Sequence, residues 1–554
     1  MPRRLIWLPL CLIACGENPA ALPSPKVATV VVSPGSAAIY PSVTTQLTAV
    51  LTDSLGDTLT GHAIAWSTSD PLIATVDTTG LVTGTGGGTA VIVATSEGHA
   101  DTASIAVTAA KSIVVDPTII IVPTLLRIVP GGSVQLRFLA LDSLGDSLPG
   151  YPLALASSDT NVAMVTPAGL VTGRAPGITT VTATNGVLQA QIHFAVRTVT
   201  FVSVEASEFI TGCGLTADNA AFCWGDYYGQ GAGIRQNSLS PIGVAFYGKM
   251  MQVTSGDGFS CGLSDAGVAY CWGWNSVGRL GYGSPLRDSY VPVPVAGGHV
   301  FVTLSSGSKH TCALTAAGDA WCWGDDEYGA LGDGPPGGIS TSPVAVAGGL
   351  QFRLIAAGGY NNTCGVAVDS SAYCWGNNDF GQVGSGDSLG AIFVPTLVAG
   401  ALKFRMVVPG WTHSCGIAVD GAAYCWGNNH QGELGTGDTS NSRVPRPVAG
   451  GFSFVEVGIG GSGADEFTCG VTTAGIGLCW GENQFGQLGN GTTTATSTPT
   501  PVSGGLAFVR ITAGSDAGCG IATSGTTYCW GYGRALGNGT GIGSLVPVRV
   551  AGQP

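Results

Sequence analysis

The sequence predicts an all-β protein, β-sandwiches followed by a closed β-propeller, and three observations predict it. Gly is very abundant, 88 of 554 residues, while Lys and Arg together number 21. Such Val-, Thr-, Ala- and Gly-rich text with constant turn signals suits short strands and leaves little room for amphipathic helices. A segment near the N-terminus recurs once at an offset of 89 residues. From position 199 onward a second segment recurs seven times at a period near 51 residues, the length of a propeller blade. At this size about three or four domains are expected.

The net charge is −13. Phosphate contacts need clustered Lys and Arg, and with no basic stripe in the text no nucleic-acid partner is expected.

The chain opens "MPRRLIWLPLCLIACGENPA". Arg3 and Arg4 precede an apolar run from Leu5 to Ala14, long enough for export and too short to span a bilayer. The ending Leu12-Ile13-Ala14-Cys15-Gly16 resembles the bacterial lipoprotein signal. That resemblance implies a signal peptide over residues 1–14, lipid attachment at Cys15 and a membrane partner through the lipid. The residue after Cys15 is not the Asp that marks inner-membrane retention in many such lipoproteins, which favours an outer-membrane or cell-surface site. Residues 15–26 are small, polar and Pro-rich, suiting a tether. The next most apolar stretch, "IIIVPTLLRIV" (119–129), is broken by Pro123 and Arg127 and reads as strand plus loop.

Two sandwiches follow, expected over 27–109 and 110–198. "DSLGDTLTG" (53–61) recurs as "DSLGDSLPG" (142–150), and "STSDPLIATVDTTGLVTG" (67–84) as "SSDTNVAMVTPAGLVTG" (157–173). Alternating segments bounded by Gly, Asp or Asn give about seven strands per copy, the signature of a sandwich. The text resembles the bacterial immunoglobulin-like domain of group 2, with its W-x-S-S-D segment followed by G-L-V-T-G. The first copy keeps Trp66, Ser69 and Asp70, and the second has Leu155 in place of the Trp. Asp53 with Asp57, and Asp142 with Asp146, read as Asp-Gly turns and not as calcium loops.

The remaining segment, 199–554, carries a cysteine ladder. Its rungs are Cys213 with Cys223, Cys261 with Cys271, Cys312 with Cys322, Cys364 with Cys374, Cys415 with Cys425, Cys469 with Cys479 and Cys519 with Cys529. Every pair is C-x9-C, and every second Cys is followed by Trp-Gly. In a hairpin the two cysteines oppose each other, close enough for a disulfide, and export supplies the oxidising compartment. Zinc would need C-x2–4-C and redox chemistry C-x-x-C; neither occurs among these fourteen. Seven structural disulfides are expected, with no metal and no cofactor. Because side chains alternate along a strand, the Trp and the residue before the second Cys share one face of each blade and the disulfide takes the other. Both faces should be buried between blades.

"GSKHTCALTAAGDAWCWGDDEYGALG" (307–332) and "CWGENQFGQLGNG" (479–491) resemble the repeats of the regulator of chromosome condensation. That resemblance covers about 350 residues and implies a seven-bladed propeller. The eukaryotic namesake exchanges guanine nucleotides on the small GTPase Ran and binds chromatin. An exported acidic chain would meet neither, which leaves exchange the least favoured of four functions. Other relatives use the propeller as a binding platform, among them a secreted β-lactamase inhibitor.

No catalytic residue is expected. His310 and His413 share a position occupied by Thr211, Phe259, Asn362, Phe467 and Ala517 in the other repeats, which points to packing. H-E-x-x-H and P-loop motifs are missing from the text, and Asp325, Asp326, Glu327 and Asp333 read as solvated loop charge. The expected function is a surface-anchored lipoprotein that presents a disulfide-stapled propeller for protein binding or adhesion. Its ligand would be an unidentified protein or a surface glycan, chosen by loops such as 230–240, 282–290 and 333–342. The alternatives are an inhibitor of a secreted or envelope enzyme, and an enzyme acting on carbohydrate or cell wall.

Overall fold

A computed structural model describes residues 25–118, 125–206, 211–284, 287–334, 337–387, 390–463 and 465–554. Cys15 and the signal segment lie outside the described residues, as does 119–124 of the apolar stretch. The structure is all-β: two sandwich repeats and a seven-bladed propeller. By contact it divides into two compact units, one of residues up to Ser112 with Ala140–Pro152, the other of Ile113–Leu139 with Leu153–Pro554.

In the first unit three small sheets close on a core of Val30, Val32, Leu47, Leu51, Val82, Ile92 and Ile105. Trp66 packs against that core half-buried. The Asp53 carboxylate accepts the backbone N–H of Leu55 (2.9 Å) and of Asp57 (3.0 Å), and Asp142 does the same for Leu144 (2.8 Å) and Asp146 (3.0 Å). Both Asp-Gly motifs are therefore self-capped turns, as their spacing suggests. The strands of the second repeat reproduce the first at the same offset: Ala65–Thr68, Ala74–Val76 and Leu81–Gly84 return as Ala154–Ser157, Ala163–Val165 and Leu170–Gly173.

In the second unit each blade is one antiparallel meander of four strands in chain order. Blade 4 shows the plan: Phe352–Ala357 innermost, Asn362–Ala367, Ala372–Gly376, then Ile392–Leu397 at the rim. The second and third strands place the two cysteines of each blade directly opposite each other, Cys364 against Cys374 in this one.

All seven expected disulfides are present. Cys213 is bonded to Cys223, Cys261 to Cys271, Cys312 to Cys322 and Cys364 to Cys374. Cys415 is bonded to Cys425, Cys469 to Cys479 and Cys519 to Cys529. The Cα atoms of each pair lie 4.0–4.1 Å apart. That is slightly closer than the roughly 4.5 Å or more expected of directly opposed strand residues, because each bond draws its two strands together.

The cores between blades share one recipe. Each contains the disulfide of one blade and the Trp of the following one. Cys213 and Cys223 meet Trp272, Cys261 and Cys271 meet Trp323, and Cys312 and Cys322 meet Trp375. Cys364 and Cys374 meet Trp426, Cys415 and Cys425 meet Trp480, and Cys469 and Cys479 meet Trp530. Ring closure follows suit, with Trp224 of blade 1 packed on Cys519 and Cys529 of blade 7. The disulfide and the Trp of a blade do occupy opposite faces. The aromatic before the second Cys is less buried than its parity suggests. Phe222 and Leu478 are buried, but Tyr270, Trp321, Tyr373, Tyr424 and Tyr528 are half-buried, because this position lies beside the hairpin turn, at the end of the strand.

Each rim strand carries a Pro: Pro241, Pro292, Pro343, Pro395, Pro445, Pro499 and Pro547. A rim strand is an open edge, and Pro removes a donor that another chain could pair with. In blade 1 the residue after that Pro is used: Ile242 pairs with Ile128 of the second sandwich. One eight-stranded sheet thus runs from the sandwich into the blade. Gln135 N–H donates to Gln236 Oε1 (3.0 Å), and Gln236 Nε2 donates to the Gln135 carbonyl (2.7 Å). Ala232, Ile234 and Ile242 join the sandwich core. Residues 198 and 199 therefore lie inside a continuous packed body.

Closing a hairpin loop of this length is worth about 2–3 kcal/mol in the chain-entropy account. Cys312→Ala/Cys322→Ala should lower the denaturation midpoint by that free energy without losing the fold. Peptide mass mapping without reduction should recover Cys312 joined to Cys322; free thiols at several pairs would contradict the ladder.

Candidate functional site

In a four-stranded meander the connections after the first and third strands emerge at the same end. The propeller therefore has one face built from both sets of loops, and the long Gly-rich segments after each Trp-Gly lie there. In blades 2 to 6 their motif, Trp-Gly-x-Asn-x-x-Gly-x-Leu-Gly, closes the loop on itself. The Asn side chain accepts the N–H five residues on: Asn275 from Leu280 (3.0 Å), Asn378 from Val383 (3.0 Å), Asn429 from Leu434 (2.9 Å) and Asn483 from Leu488 (3.0 Å). In blade 3 Asp326 takes this place and accepts Leu331 N–H (2.9 Å). Asp325 and Asp326 are buried, so these two are loop-closing groups and not solvated charge. Burial pushes the Asp326 carboxyl up to about 6.

The last Gly of the motif meets the next blade. Gly384 has φ +78°, and a Cβ there would stand 2.5 Å from Trp426 Nε1. That indole in turn donates to the Gln382 carbonyl (2.8 Å). The bond recurs at every interface, including Trp224 to the Ala535 carbonyl (2.8 Å), which closes the ring. Each Trp thus reaches back to the preceding blade.

The two repeat histidines are structural, as their pattern suggests. His310 Nε2 lies 2.8 Å from Thr363 Oγ1 of blade 4, and that hydroxyl donates to the Ala330 carbonyl (2.8 Å). Burial depresses the His310 imidazole to about 4. His413 has the matching contact, Nε2 to Thr468 Oγ1 at 2.9 Å, and adds Nδ1 to Glu466 Oε2 at 2.9 Å. Thr468 in turn donates to the Glu433 carbonyl (3.1 Å). Carboxylate, imidazole and hydroxyl line up as in a hydrolase triad, yet His413, Glu466 and Thr468 are fully buried. Glu466 instead organises a loop. It accepts the backbone N–H groups of Trp411, Thr412 (2.8 Å) and His413 (3.2 Å), and the Thr412 hydroxyl (2.6 Å).

That loop presents aromatic surface. Trp411 stacks on Tyr360 of blade 4 with ring centres 5.4 Å apart and planes at 17°, and Tyr360 lies 5.3 Å from Tyr328 of blade 3. All three are half-buried. A second stack, Tyr227, Tyr228 and Tyr290, lies at blades 1 and 2. Both sit on the loop face. Motif reading overlooked the first because Tyr360 and Trp411 share a repeat position whose residue changes from blade to blade, and Tyr328 comes from a different loop. Only the packing of neighbouring blades brings the three together.

The central channel is lined by the innermost strands. Among its side chains Arg510 lies 3.5 Å from Glu456, and Glu205 is pushed up to about 7 by desolvation and by the charge of Glu456.

Fold and face together define a β-propeller with one loop-built face, joined to immunoglobulin-like sandwiches. The family model of the RCC1-like domain matches residues 179–503, and that of the bacterial Ig-like domain (group 2) matches 26–107. The chain belongs to the RCC1-like domain family. It is 29% identical over 317 residues to the ultraviolet-B receptor UVR8 of Arabidopsis thaliana, covering 55% of this chain and 70% of the receptor. It is 33% identical over 275 residues to the E3 ubiquitin-protein ligase HERC2 of Homo sapiens, covering 48% of this chain but 6% of the ligase. Its fold matches yeast RCC1 (Prp20), solved bound to Kap60, with TM-score 0.52 and 20% identity, over 59% of this chain and 83% of that one.

The loop geometry makes Gly384 and Glu433 the residues to alter. Gly384→Ala should cost at least about 2 kcal/mol, from left-handed backbone plus collision with Trp426, whereas Gly338→Ala, with nothing within 4 Å, should be neutral in urea unfolding. Burial raises the Glu433 carboxyl from its ordinary 4.5 to about 7. Between those values the unfolded chain ionises and the folded one keeps its proton, so stability falls as pH rises. Glu433→Gln should flatten that fall between pH 5 and pH 8 by roughly 1–3 kcal/mol, read from urea midpoints.

Proposed function

We propose that this protein is an exported binding protein whose propeller presents its loop face to a protein partner, with Cys15 as lipid anchor at the outer membrane or cell surface. In this reading residues 27–109 and 110–198 are sandwiches that hold the propeller (199–554) away from the membrane. The observation that carries it is the Tyr328–Tyr360–Trp411 stack: aromatic area left half-open on the loop face. Aromatic residues of this kind anchor protein interfaces. Seven disulfides and a bacterial immunoglobulin-like domain suit an oxidising extracytoplasmic compartment. No helix among the described residues is long and apolar enough to cross a membrane, and in this reading attachment falls to the lipid. The solved complex of Kap60 bound to yeast RCC1 is a precedent for a protein that carries this fold binding another protein.

Inhibition of a secreted or envelope enzyme is the same docking with a different consequence for the partner. The fully buried His413–Glu466–Thr468 line gives no support to an enzyme acting on carbohydrate or cell wall.

The full-length protein, used as bait against envelope and secreted proteins of its own cell, should retain one partner in stoichiometric amount. Turnover of glycans or peptides with no retained protein would overturn the proposal. In the same cells, Cys15→Ala should abolish incorporation of labelled fatty acid and release the protein from membranes.

A further inference from the structure

Among the aromatic groups of the loop face, which include Phe485 against Tyr532 at 5.9 Å, three differ in their charged neighbours. Over the blade 1–2 stack, the Arg235 guanidinium sits 4.5 Å from the Tyr290 ring centre. Over Trp274 and Phe259 in blade 2, Arg279 sits at 4.8 Å and 5.5 Å. In both places the negative ring face is covered by a cation of the same chain. At the Tyr328–Tyr360–Trp411 stack the neighbouring charges have the opposite sign. Glu327 and Asp379 are exposed beside Tyr360, and their charges add to the Tyr328 hydrogen bond and burial in pushing the Tyr360 hydroxyl up to about 12. The cation of the adjoining loop, Lys309, is directed to Asp325 at 3.7 Å.

The stack is also built in advance. Tyr360 Oη donates to Tyr328 Oη (3.2 Å). The Trp411 backbone is held by Glu466 from blade 6, and Gly359 leaves space that any Cβ would take from the Trp411 ring. Next in the chain, Asn361 and Asn362 are buried, and their Oδ1 atoms are unpaired acceptors. Ring faces and two exposed carboxylates are what a guanidinium or ammonium group needs: π faces and counter-charge.

We propose that the Tyr328–Tyr360–Trp411 stack, with Glu327 and Asp379, is the seat for an Arg or Lys side chain presented by a protein partner. The proposal rests on the binding function above and narrows it: the partner docks with a basic segment over blades 3 to 5.

The test uses full-length protein and a defined probe, an acetylated decapeptide of alternating Gly and Arg, beside the same peptide with Glu for Arg. Calorimetry at low salt should show the Arg peptide binding and the Glu peptide not. Trp411→Ala, which changes no charge, should weaken the Arg peptide at least tenfold, as should Glu327→Gln/Asp379→Asn. Asp53→Asn/Asp57→Asn removes the same charge from an exposed turn of the first unit and should leave binding within twofold. Absence of Arg-peptide binding, equal binding of the Glu peptide, or equal loss in the Asp53→Asn/Asp57→Asn variant overturns the site. If Trp411→Ala melts early, the surface pair Glu327→Gln/Asp379→Asn carries the test alone. A natural partner retained equally by the wild type and by Glu327→Gln/Asp379→Asn would leave the binding function standing and remove this seat.

Discussion

Everything in the propeller depends on one contact made seven times: the indole of each Trp-Gly pair lying against the last Gly of the preceding blade's loop and donating to that loop's carbonyl. A blade is a four-stranded sheet with two apolar faces and cannot be stable alone. Packing an indole on one face and a disulfide on the other covers both. The contact runs in one direction, from each blade to the one before it, so it is completed only when Trp224 reaches Ala535. Closure needs no exchanged strand, because the first and seventh blades meet by the same contact as any other pair.

That rigid ring frees the loop face to vary. The hydrogen-bonding positions near its upper rim hold Thr211, Phe259, His310, Asn362, His413, Phe467 and Ala517 in turn, and the loops above them differ accordingly. Where blade 6 supplies Glu466, the loop of blade 5 is clamped and Trp411 is set in place. Function is thus confined to departures from the repeat, while the repeat itself secures the scaffold.

Much of this architecture was legible in the text. The C-x9-C spacing placed each hairpin, and strand parity separated Trp from disulfide. The Trp-Gly-x-Asn-x-x-Gly-x-Leu-Gly motif announced the blades. The burial of Asp326 was not legible, because a carboxylate in an acidic run reads as solvated until its place in the Asn position of the loop is recognised. Nor was the half-exposure of Tyr373 or Tyr424, since parity reports which face a side chain takes and not how far the neighbouring blade extends over it. The shared sheet of sandwich and blade 1 could not be read either. Ile128 and Ile242 look like ordinary strand residues, and their pairing is a long-range event.

The sequence by itself determined the repeat count, the strand register within each blade, the disulfide partners and the all-β class. Each of these follows from spacing along one short stretch of chain. Only the tertiary structure decided which loops share a face, which aromatic residues stack, and which arginines already cover a ring. Tyr328, Tyr360 and Trp411 are separated by 32 and 51 residues, and no local rule relates them. They meet because each blade is turned against the one before it, so residues a repeat apart in sequence become neighbours around the mouth of the ring.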